Sequence, residues 1–295
     1  MPIIVGMLKA TRSVPEVGPA SLQYLGLPGI SASCLGAIRA LIQLGRPIRR
    51  ALILTVENEH AFLFTLGHES DELVVVKAGF SSGYPGEGPR TFAVALELLQ
   101  TFLVEIDECN VSKRLMRRLE ASALTFDDLD SIDKAGVIRP MRWFDYIYPW
   151  REKTQSEALQ LAAFSEVMPW AIVDHRMADL ARRFFENEDD CINVGFRRLE
   201  DIVRKRSGLN EHGVKLMQQA FLSEGAPLLW NLPDTGEQKG RAQLFVGAFL
   251  AYRNPRAHRE LGSNGVRPLA EFLMLNQLYL LERQAVGAAD SGTVA

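Results

Sequence analysis

The stretch that decides the fold and function predicted for the C-terminal part of this chain is LFVGAFLAYRNPRAH, residues 244–258. Apolar side chains recur at intervals of three and four from residue 244 to residue 252, which is typical of a helix with one apolar face. Pro255 then interrupts the pattern, because proline donates no backbone hydrogen bond and disfavours helical geometry in the residue before it. One helix could kink here. Alternatively, a first helix ends near Arg253 and a second begins with Asn254 as N-cap, which is the arrangement we favour.

The end of this stretch concentrates positive charge. Arg253 and His258 have four residues between them, Asn254 follows the arginine directly, and Arg256 and Arg259 lie beside the histidine. Backbone N–H groups at a helix start attract anions, and guanidinium groups bind phosphate through paired hydrogen bonds. The pattern therefore predicts a phosphate site, with a cationic helix end on a solvated surface as the alternative.

A looser version of the same spacing occurs earlier in the chain, at Arg206 and His212. Gly208 and Asn210 lie between these two residues and indicate a helix terminus followed by a turn. We therefore interpret this second pair as having no functional meaning.

Length, charge and cysteine content narrow the class of protein. A chain of 295 residues can hold two domains, and its net charge of −3 argues against a protein coated in nucleic acid. Cys34, Cys109 and Cys191 are far apart and show neither metal-ligand spacing nor a redox motif, which favours a reducing cytoplasm. No signal peptide or membrane span is recognised, so we expect a cytoplasmic protein with no membrane partner, no metal and no cofactor.

The sequence pattern of residues 1–149 is typical of an α+β domain. The sequence predicts a helix over residues 35–44, two strands within residues 49–66 joined by a Glu57-Asn58-Glu59 turn, and a third strand over residues 72–77. Short connections favour an antiparallel β meander over βαβ units. An apolar helix is expected over residues 91–106, and the charged segments 113–120 and 125–133 are expected on the solvated surface.

A glycine-rich segment, residues 79–90, precedes that apolar helix. It lacks the Gly-Lys-Ser/Thr of a P-loop and the glycine spacing of the Rossmann fingerprint. A tight connection with Pro89 starting the helix is one interpretation. The other is a loop that binds a ligand or a partner, since backbone N–H groups at such a turn suit a phosphate; its candidate residues are Tyr84, Gly86, Glu87, Gly88 and Arg90.

From residue 150 onward the chain changes to successive helices separated by Gly, Pro and Asn. Helical spacing covers residues 155–167, 174–187, 191–207, 213–223, 241–253 and 268–284. The last of these is apolar around most of its circumference, so it must be buried on more than one side and would also suit a dimer interface. We expect an irregular connection over 225–240, a helical bundle over 150–286 and a disordered tail over 287–295.

Aromatic residues cluster just before the successive helices begin, at Trp143, Phe144, Tyr146, Tyr148 and Trp150. We interpret them as packing where two domains meet. A platform on which bases stack is the alternative.

Residues 191–283 resemble the Ymh-type family of bacterial and phage proteins. The resemblance lies in GFRRLEDIVRKRSGL, GVKLMQQAF, APLLWNLP and, above all, LFVGAFLAYRNPRAH. That family looks like a branch of the HEPN superfamily of helical bundles, in which an arginine and a histidine four to six residues apart form a metal-independent ribonuclease site. The resemblance implies that Arg253, Asn254 and His258 are catalytic, with Arg256 and Arg259 binding substrate phosphate.

Two functions of different classes remain open. The first is a metal-independent endoribonuclease, in a toxin-like or antiphage role, controlled by its N-terminal domain through a partner protein or a small-molecule trigger. Histidine and arginine suit proton transfer and charge stabilisation when a 2′-OH attacks the adjacent phosphate. A twofold homodimer would supply a second histidine to one site. The second function is a non-catalytic module that dimerises and binds RNA or a nucleotide. The sequence lacks HExxH and Cys/His clusters, and Asp71 and Glu72 form no persuasive metal-nuclease set.

Overall fold

The structure, a computed structural model, describes residues 20–45, 47–67, 72–151, 161–253 and 268–287. The chain divides between Ser165 and Glu166 into two compact units, called here the N-terminal and C-terminal units. The N-terminal unit extends beyond residue 149, since Gln43 Nε2 donates to the Ser165 carbonyl at 2.6 Å and Phe102 contacts Phe164.

The N-terminal unit combines a five-stranded sheet with helices. Its strands are β1 Gln23–Leu25, β2 Ile48–Val56, β3 Glu59–Leu66, β4 Glu72–Ser81 and β5 Glu105–Asn110. Its helices are α1 Ser31–Gln43, α2 Glu87–Thr101, α3 Lys113–Glu120, α4 Phe126–Lys134 and α5 Trp143–Ile147, the last continued by a 3₁₀ turn at Tyr148–Trp150.

The sheet is mixed. Its strand order is β1-β4-β3-β2-β5, and β3 is antiparallel to both of its neighbours, β2 and β4. The predicted meander is confirmed for these three strands. The two edge strands differ from the prediction because β1 pairs with β4, and β5 with β2, in the parallel direction.

Helices cover both faces of the sheet. Ile53 and Phe62 pack on the face covered by α1, α2 and α5, whereas Leu52 and Leu63 pack on the face covered by α3 and α4. A strand buried on both faces needs apolar residues at successive positions rather than at alternate ones. This burial explains why β2 reads as a nearly continuous apolar run.

The predicted helix over residues 91–106 is wrong at its C-terminal end. Helix α2 ends at Thr101, and Leu103 then adopts a left-handed backbone conformation with φ of 55°. This conformation is unfavourable for a residue with a side chain and is incompatible with a continuing helix. Ile106 therefore lies in β5, where it pairs with Ala51 of β2.

The segments 113–120 and 125–133 form helices, but they are not merely solvated surface. Leu115 and Leu119 of α3 are buried against the sheet. Thr125 and Asp128 form a capping box at the start of α4, and the buried Asp128 carboxylate also accepts hydrogen bonds from Arg118. An acidic residue is buried here because its charge is both paired and hydrogen-bonded.

The C-terminal unit is mainly helical. Its α-helices are α6 Ala178–Arg182, α7 Glu188–Ser207, α8 Gly213–Met217, α9 Thr235–Ala248 and α10 Pro268–Gln284. Helices α8 and α9 continue into π-helical turns at Gln218–Leu222 and Phe249–Arg253, and 3₁₀ turns occur at Trp170–Ile172, His175–Met177 and Phe184–Glu186. A short strand pair, β6 Leu228–Leu229 and β7 Val286–Gly287, completes the described part.

Several predicted boundaries change in this unit. The single helix expected over 174–187 is broken into α6 and flanking 3₁₀ turns, and the irregular connection over 225–240 contains β6 and the start of α9. Gly287, predicted to begin a disordered tail, pairs with Leu228. Residues 288–295, and residues 155–160 of the helix predicted over 155–167, lie outside the described residues. Residues 163–167 of that predicted helix are not helical.

Helix α10 is the central element of the C-terminal core. Phe272, Leu275, Leu278 and Tyr279 are fully buried within the single chain, and Tyr279 donates its hydroxyl hydrogen to the Gly195 carbonyl at 2.8 Å. The apolar circumference that also suggested a dimer interface is thus largely covered by its own unit. Among the described residues, no helix has both the length and the apolar character needed to cross a bilayer.

Candidate functional site

Arg253 is the last described residue of the helix that the opening stretch predicted. Helix α9 starts after Asp234, whose side chain accepts a hydrogen bond from the Gly236 N–H at 2.7 Å. Its last turn widens to π-helical geometry over Phe249–Arg253, and Phe249 is fully buried. π-Turns inside helices frequently occur at functional sites. The widened turn holds Arg253 at the margin of the core, with its side chain 30% exposed.

A buried carboxylate on α7 holds this arginine. Arg253 donates from Nη2 to Glu200 Oε2 at 3.3 Å, and the Glu200 side chain is only 6% exposed. Glu200 Oε1 also accepts from Arg204 Nη2 at 3.1 Å and from the Gly213 N–H at 3.0 Å. A carboxylate with several donors in a buried position is fixed in orientation, and it fixes its partners in turn.

His212 joins the same cluster. Its Nδ1 lies 2.9 Å from Arg204 Nη2 and 3.5 Å from Glu200 Oε1. An arginine only donates hydrogen bonds, so a hydrogen bond between these two nitrogens requires Nδ1 to accept and places the imidazole proton on Nε2. With its side chain 75% exposed, His212 can present that N–H to a bound molecule.

Arg206 and His212, interpreted from the sequence as a pair without functional meaning, have different surroundings in the structure. Arg206 donates from Nη1 to Glu282 Oε1 at 2.5 Å and to the Glu282 carbonyl at 2.6 Å, so it serves the core of the unit. The turn expected between the two residues does exist, since α7 ends at Gly208 with φ of 70°. This turn brings His212 into contact with Arg204 and Glu200. The cluster of Glu200, Arg204, His212 and Arg253 is called the Glu200 cluster below.

Charge within the Glu200 cluster is nearly balanced. Arg204 also donates from Nη1 to Asp201 Oδ1 at 2.5 Å, so two guanidinium groups face two carboxylates. Glu200 is buried and Asp201 is 61% exposed. The cluster therefore positions hydrogen-bond donors for an anion rather than providing a large positive surplus. Extra positive charge would have to come from neighbouring residues.

Four of the five predicted C-terminal site residues lie outside the described residues: Asn254, Arg256, His258 and Arg259. Their assignment stays a prediction, as does the choice between a kink and a new helix at Pro255. The sequence analysis missed Glu200 and Arg204. Their spacing of four residues on one helix face could have indicated a pair, but nothing local connects them to Arg253.

The predicted ligand loop is distributed between a strand, a turn and a helix. Gly79 to Ser81 belong to β4, and α2 begins at Glu87 with Gly86 as its N-cap, so Pro89 lies inside the first helical turn. Tyr84 is half-exposed, and its hydroxyl is 2.9 Å from Ser81 Oγ. Arg90 is exposed on α2.

Glycine is required at two of these positions. A Cβ added at Gly86 would lie 2.5 Å from the Tyr84 ring, and one added at Gly88 would overlap Ser81 Oγ. Close packing around Tyr84 therefore explains both glycines without a ligand. Whether the loop also binds one remains a prediction from the sequence.

The aromatic cluster belongs to the N-terminal unit. Trp143 is buried in its core and stacks on Phe144 with ring centroids 3.7 Å apart, while Tyr146 packs against Phe92 at 5.1 Å. Phe144 and Tyr148 are exposed. In the part of the chain that the structure describes, no group of three or more His, Cys, Asp or Glu side chains is arranged to hold a metal ion.

Comparison with known proteins supports part of the resemblance. Residues 172–280 match a family model described as "Protein of unknown function (Hypoth_ymh)". No curated protein matches the chain. Among solved structures, a chain of respiratory complex I from Thermus thermophilus is similar at 20% identity with a TM-score of 0.33, over 42% of this chain and 98% of that chain.

Proposed function

We propose that the chain is a metal-independent endoribonuclease of the HEPN type whose site is built around Arg253. The observation that carries the proposal is the Glu200 cluster, in which a buried carboxylate holds Arg253 beside Arg204 and the exposed His212. The Ymh-family match over residues 172–280 includes all four residues. The HEPN assignment itself, and the roles of Asn254 and His258, rest on the sequence resemblance.

The reaction needs positioned charge and two proton transfers. The 2′-oxygen of a nucleotide attacks the adjacent phosphorus, forming a P–O2′ bond as the P–O5′ bond breaks. A base takes the 2′-OH proton, and an acid delivers a proton to the departing 5′-oxygen. The products are a 2′,3′-cyclic phosphate and a 5′-hydroxyl. No redox partner is required.

In this proposal Arg253 binds the phosphate oxygens, on which negative charge increases in the transition state. Glu200 is a positioning residue, because it contacts Arg253 and lies too deep to reach the substrate. From the resemblance, His258 is the proposed base and Asn254 a further catalytic residue, while Arg256 and Arg259 are proposed to bind flanking phosphates. His212 keeps a neutral ring in its contact with Arg204, so it offers the exposed Nε2 N–H as a hydrogen-bond donor to a phosphate oxygen.

The test uses the full chain and an unstructured RNA in excess EDTA. We expect cleavage that leaves cyclic phosphate ends, and at least a hundredfold loss of kcat in Arg253→Ala, as is usual when a group stabilising the transition state is removed. A substrate with a 2′-deoxy nucleotide at the cleaved position should be inert. The matched control is Arg197→Ala, which removes an exposed arginine from the same helix as Glu200.

The Glu200→Gln variant tests whether Glu200 positions Arg253 while Arg253 binds the phosphate. We expect it to lower kcat with little change in KM, because the amide retains the shape but not the charge that orients Arg253. Arg253→Lys should recover little activity, since lysine lacks the planar fork of donors. RNA binding without cleavage in EDTA, across several RNAs, would refute the enzyme and support the non-catalytic module.

We also propose the twofold homodimer, on the ground that the reaction benefits from a second proton-transfer group. A site that is complete within one copy is the alternative. Mixed dimers of wild-type and His258→Ala subunits distinguish the two. A composite site predicts loss of most activity, whereas a self-sufficient site predicts activity in proportion to the wild-type fraction. Control by the N-terminal unit, a toxin-like or antiphage role and a cytoplasmic location stay predictions from the sequence.

A further inference from the structure

A pocket of about 380 Å³ opens in the N-terminal unit, between the end of β4 and the segment that follows α5. Its walls include the aromatic side chains of Phe92, Tyr146 and Trp150. Ser82 and Asp145 supply polar groups at its surface. The volume falls within the range typical of small-molecule sites.

A chain of buried hydrogen bonds runs behind this pocket and starts at Glu108. The Glu108 carboxylate is 2% exposed and accepts from Arg142 at 2.8 and 3.0 Å, from Thr55 Oγ1 at 2.6 Å and from Tyr146 Oη at 2.9 Å. Burial alone would raise the pKa of Glu108, but the hydrogen bonds from Arg142, Thr55 and Tyr146 outweigh it and lower the pKa. Glu108 is therefore ionised and only accepts.

The negative charge of Glu108 determines the direction of every hydrogen bond in this buried series. Thr55 has one hydroxyl proton and donates it to Glu108, so its oxygen must accept from His60 Nδ1, 3.0 Å away. His60 is fully buried, and this burial lowers its pKa to about 4, so the ring is neutral at neutral pH. A neutral ring with its proton on Nδ1 has a lone pair on Nε2. Ser82 Oγ, 2.8 Å from Nε2, must donate its hydrogen there.

Two of the polar side chains that line the pocket, Ser82 and Tyr146, therefore act as hydrogen-bond acceptors toward a ligand. The Ser82 hydroxyl hydrogen is directed at His60, so toward a ligand its oxygen accepts. Tyr146 has likewise donated its proton to Glu108. Pro85 and Pro89, which also line the pocket, have no backbone N–H. Asp145 adds a carboxylate whose negative charge contributes to raising the pKa of Tyr146, after the larger effect of burial.

Acceptors, a carboxylate and aromatic walls favour one class of ligand. A phosphate, the ligand that the glycine-rich sequence suggested, would meet the Asp145 carboxylate and the acceptor oxygens of Ser82 and Tyr146. A planar cation with several N–H groups would donate to Ser82 and Tyr146, pair with Asp145 and stack on the aromatic rings. We propose that this pocket binds a small molecule through an amidinium or guanidinium group. The proposal is independent of the ribonuclease activity.

The same hydrogen bonds argue against Ser82 as an efficient nucleophile. A general base works best when its pKa lies near the working pH. His60, with a pKa of about 4 and no exposure, is a poor acceptor for the Ser82 proton during a reaction. The arrangement therefore suits recognition rather than covalent catalysis.

The test measures the binding of benzamidine to the full chain, by calorimetry and by saturation-transfer NMR. Benzoate has a similar shape with the opposite charge, and phenyltrimethylammonium is a cation without N–H groups. We expect benzamidine to bind, benzoate not to bind, and phenyltrimethylammonium to bind at least fivefold more weakly than benzamidine. Asp145→Asn should weaken benzamidine binding by about fivefold, the effect of one partly exposed opposite charge.

Two further variants complete the test. Asp127→Asn is the matched control, since it neutralises an exposed carboxylate on α4, outside the residues that line the pocket, and should leave binding unchanged. Ser82→Ala should weaken benzamidine binding, with thermal unfolding used to confirm that the variant is folded. The proposal is overturned if benzamidine does not bind at millimolar concentration, if benzoate binds as well, or if Asp145→Asn behaves like Asp127→Asn. Unchanged affinity in a folded Ser82→Ala variant would overturn the acceptor assignment.

Discussion

The buried His60 should make the stability of the N-terminal unit depend on pH. In the folded chain this histidine has a pKa of about 4 and stays neutral as the pH falls to that value. The ordinary pKa of histidine is 6.5. The unfolded chain therefore binds one more proton between these pH values. Linkage then requires the free energy of unfolding to fall as the pH falls through this window. The stabilisation is fully present above about pH 6.5.

The magnitude follows from the two pKa values. Between pH 7.5 and pH 5.0, His60 should remove about 2 kcal/mol from the free energy of unfolding, rising to about 3 kcal/mol below pH 4. Glu108 also has a lowered pKa, and its contribution is lost only below the ordinary glutamate value of 4.5. Measurements that stop at pH 5.0 thus isolate most of the His60 effect.

The cysteines report the unfolding of each unit separately. Cys34 and Cys109 are buried in the N-terminal unit, and Cys191 is buried in the C-terminal unit. Urea titrations at pH 7.5 and pH 5.0 would be followed by a pulse of a disulfide reagent that reacts at acid pH. Mass spectrometry then assigns the modified thiols, and so gives a separate unfolding curve for each unit.

His60→Gln removes the titrating group while retaining hydrogen-bonding atoms. This variant should be less stable at pH 7.5, but its N-terminal unit should lose about 2 kcal/mol less than the wild type on acidification. The control is His175→Gln, which replaces an exposed histidine in the C-terminal unit and should not alter the Cys34 curve. An equal loss of stability in His60→Gln and wild type would refute the reasoning.

Two further predictions concern stability. The side chain of Glu282 is fully buried between Arg176 and Arg206, 2.5 Å from each. Replacing Glu282 by Gln should cost about 3–5 kcal/mol, because Arg206 loses its buried carboxylate partner and Arg176 keeps Asp174 but loses Glu282. Asp179→Asn, in a partly exposed pair, should cost under about 1 kcal/mol, and similar urea midpoints for the two variants would contradict this assignment. Gly36→Ala, in an exposed position of α1 with nothing near the added Cβ, should stabilise by about 0.5–1 kcal/mol. Gly88→Ala should destabilise by about 1–3 kcal/mol because its Cβ overlaps Ser81, and thermal unfolding that ranks these glycine variants in the opposite order would refute the packing argument.

Local pattern was sufficient where an element depends on its own residues. The strands β2, β3 and β4 follow from short apolar runs separated by polar turns, and α10 follows from its apolar spacing after Pro268. The helix that carries Arg253 was likewise readable, from the apolar periodicity over residues 244–252. These features involve neighbours within a few residues, and the sequence displays those neighbours directly.

Tertiary structure alone decided the parts that depend on distant partners. The start of β5 was predicted as helix because its parallel pairing with β2 joins residues more than fifty positions apart, such as Arg50 with Glu105. Glu200 became a site residue only when the chain returned to it with His212 and Arg253. His60 looked like an ordinary strand residue until Glu108, from another strand, set the direction of its hydrogen bonds. The physical reason is that burial and paired charge are properties of a three-dimensional environment, whereas periodicity is a property of adjacent residues.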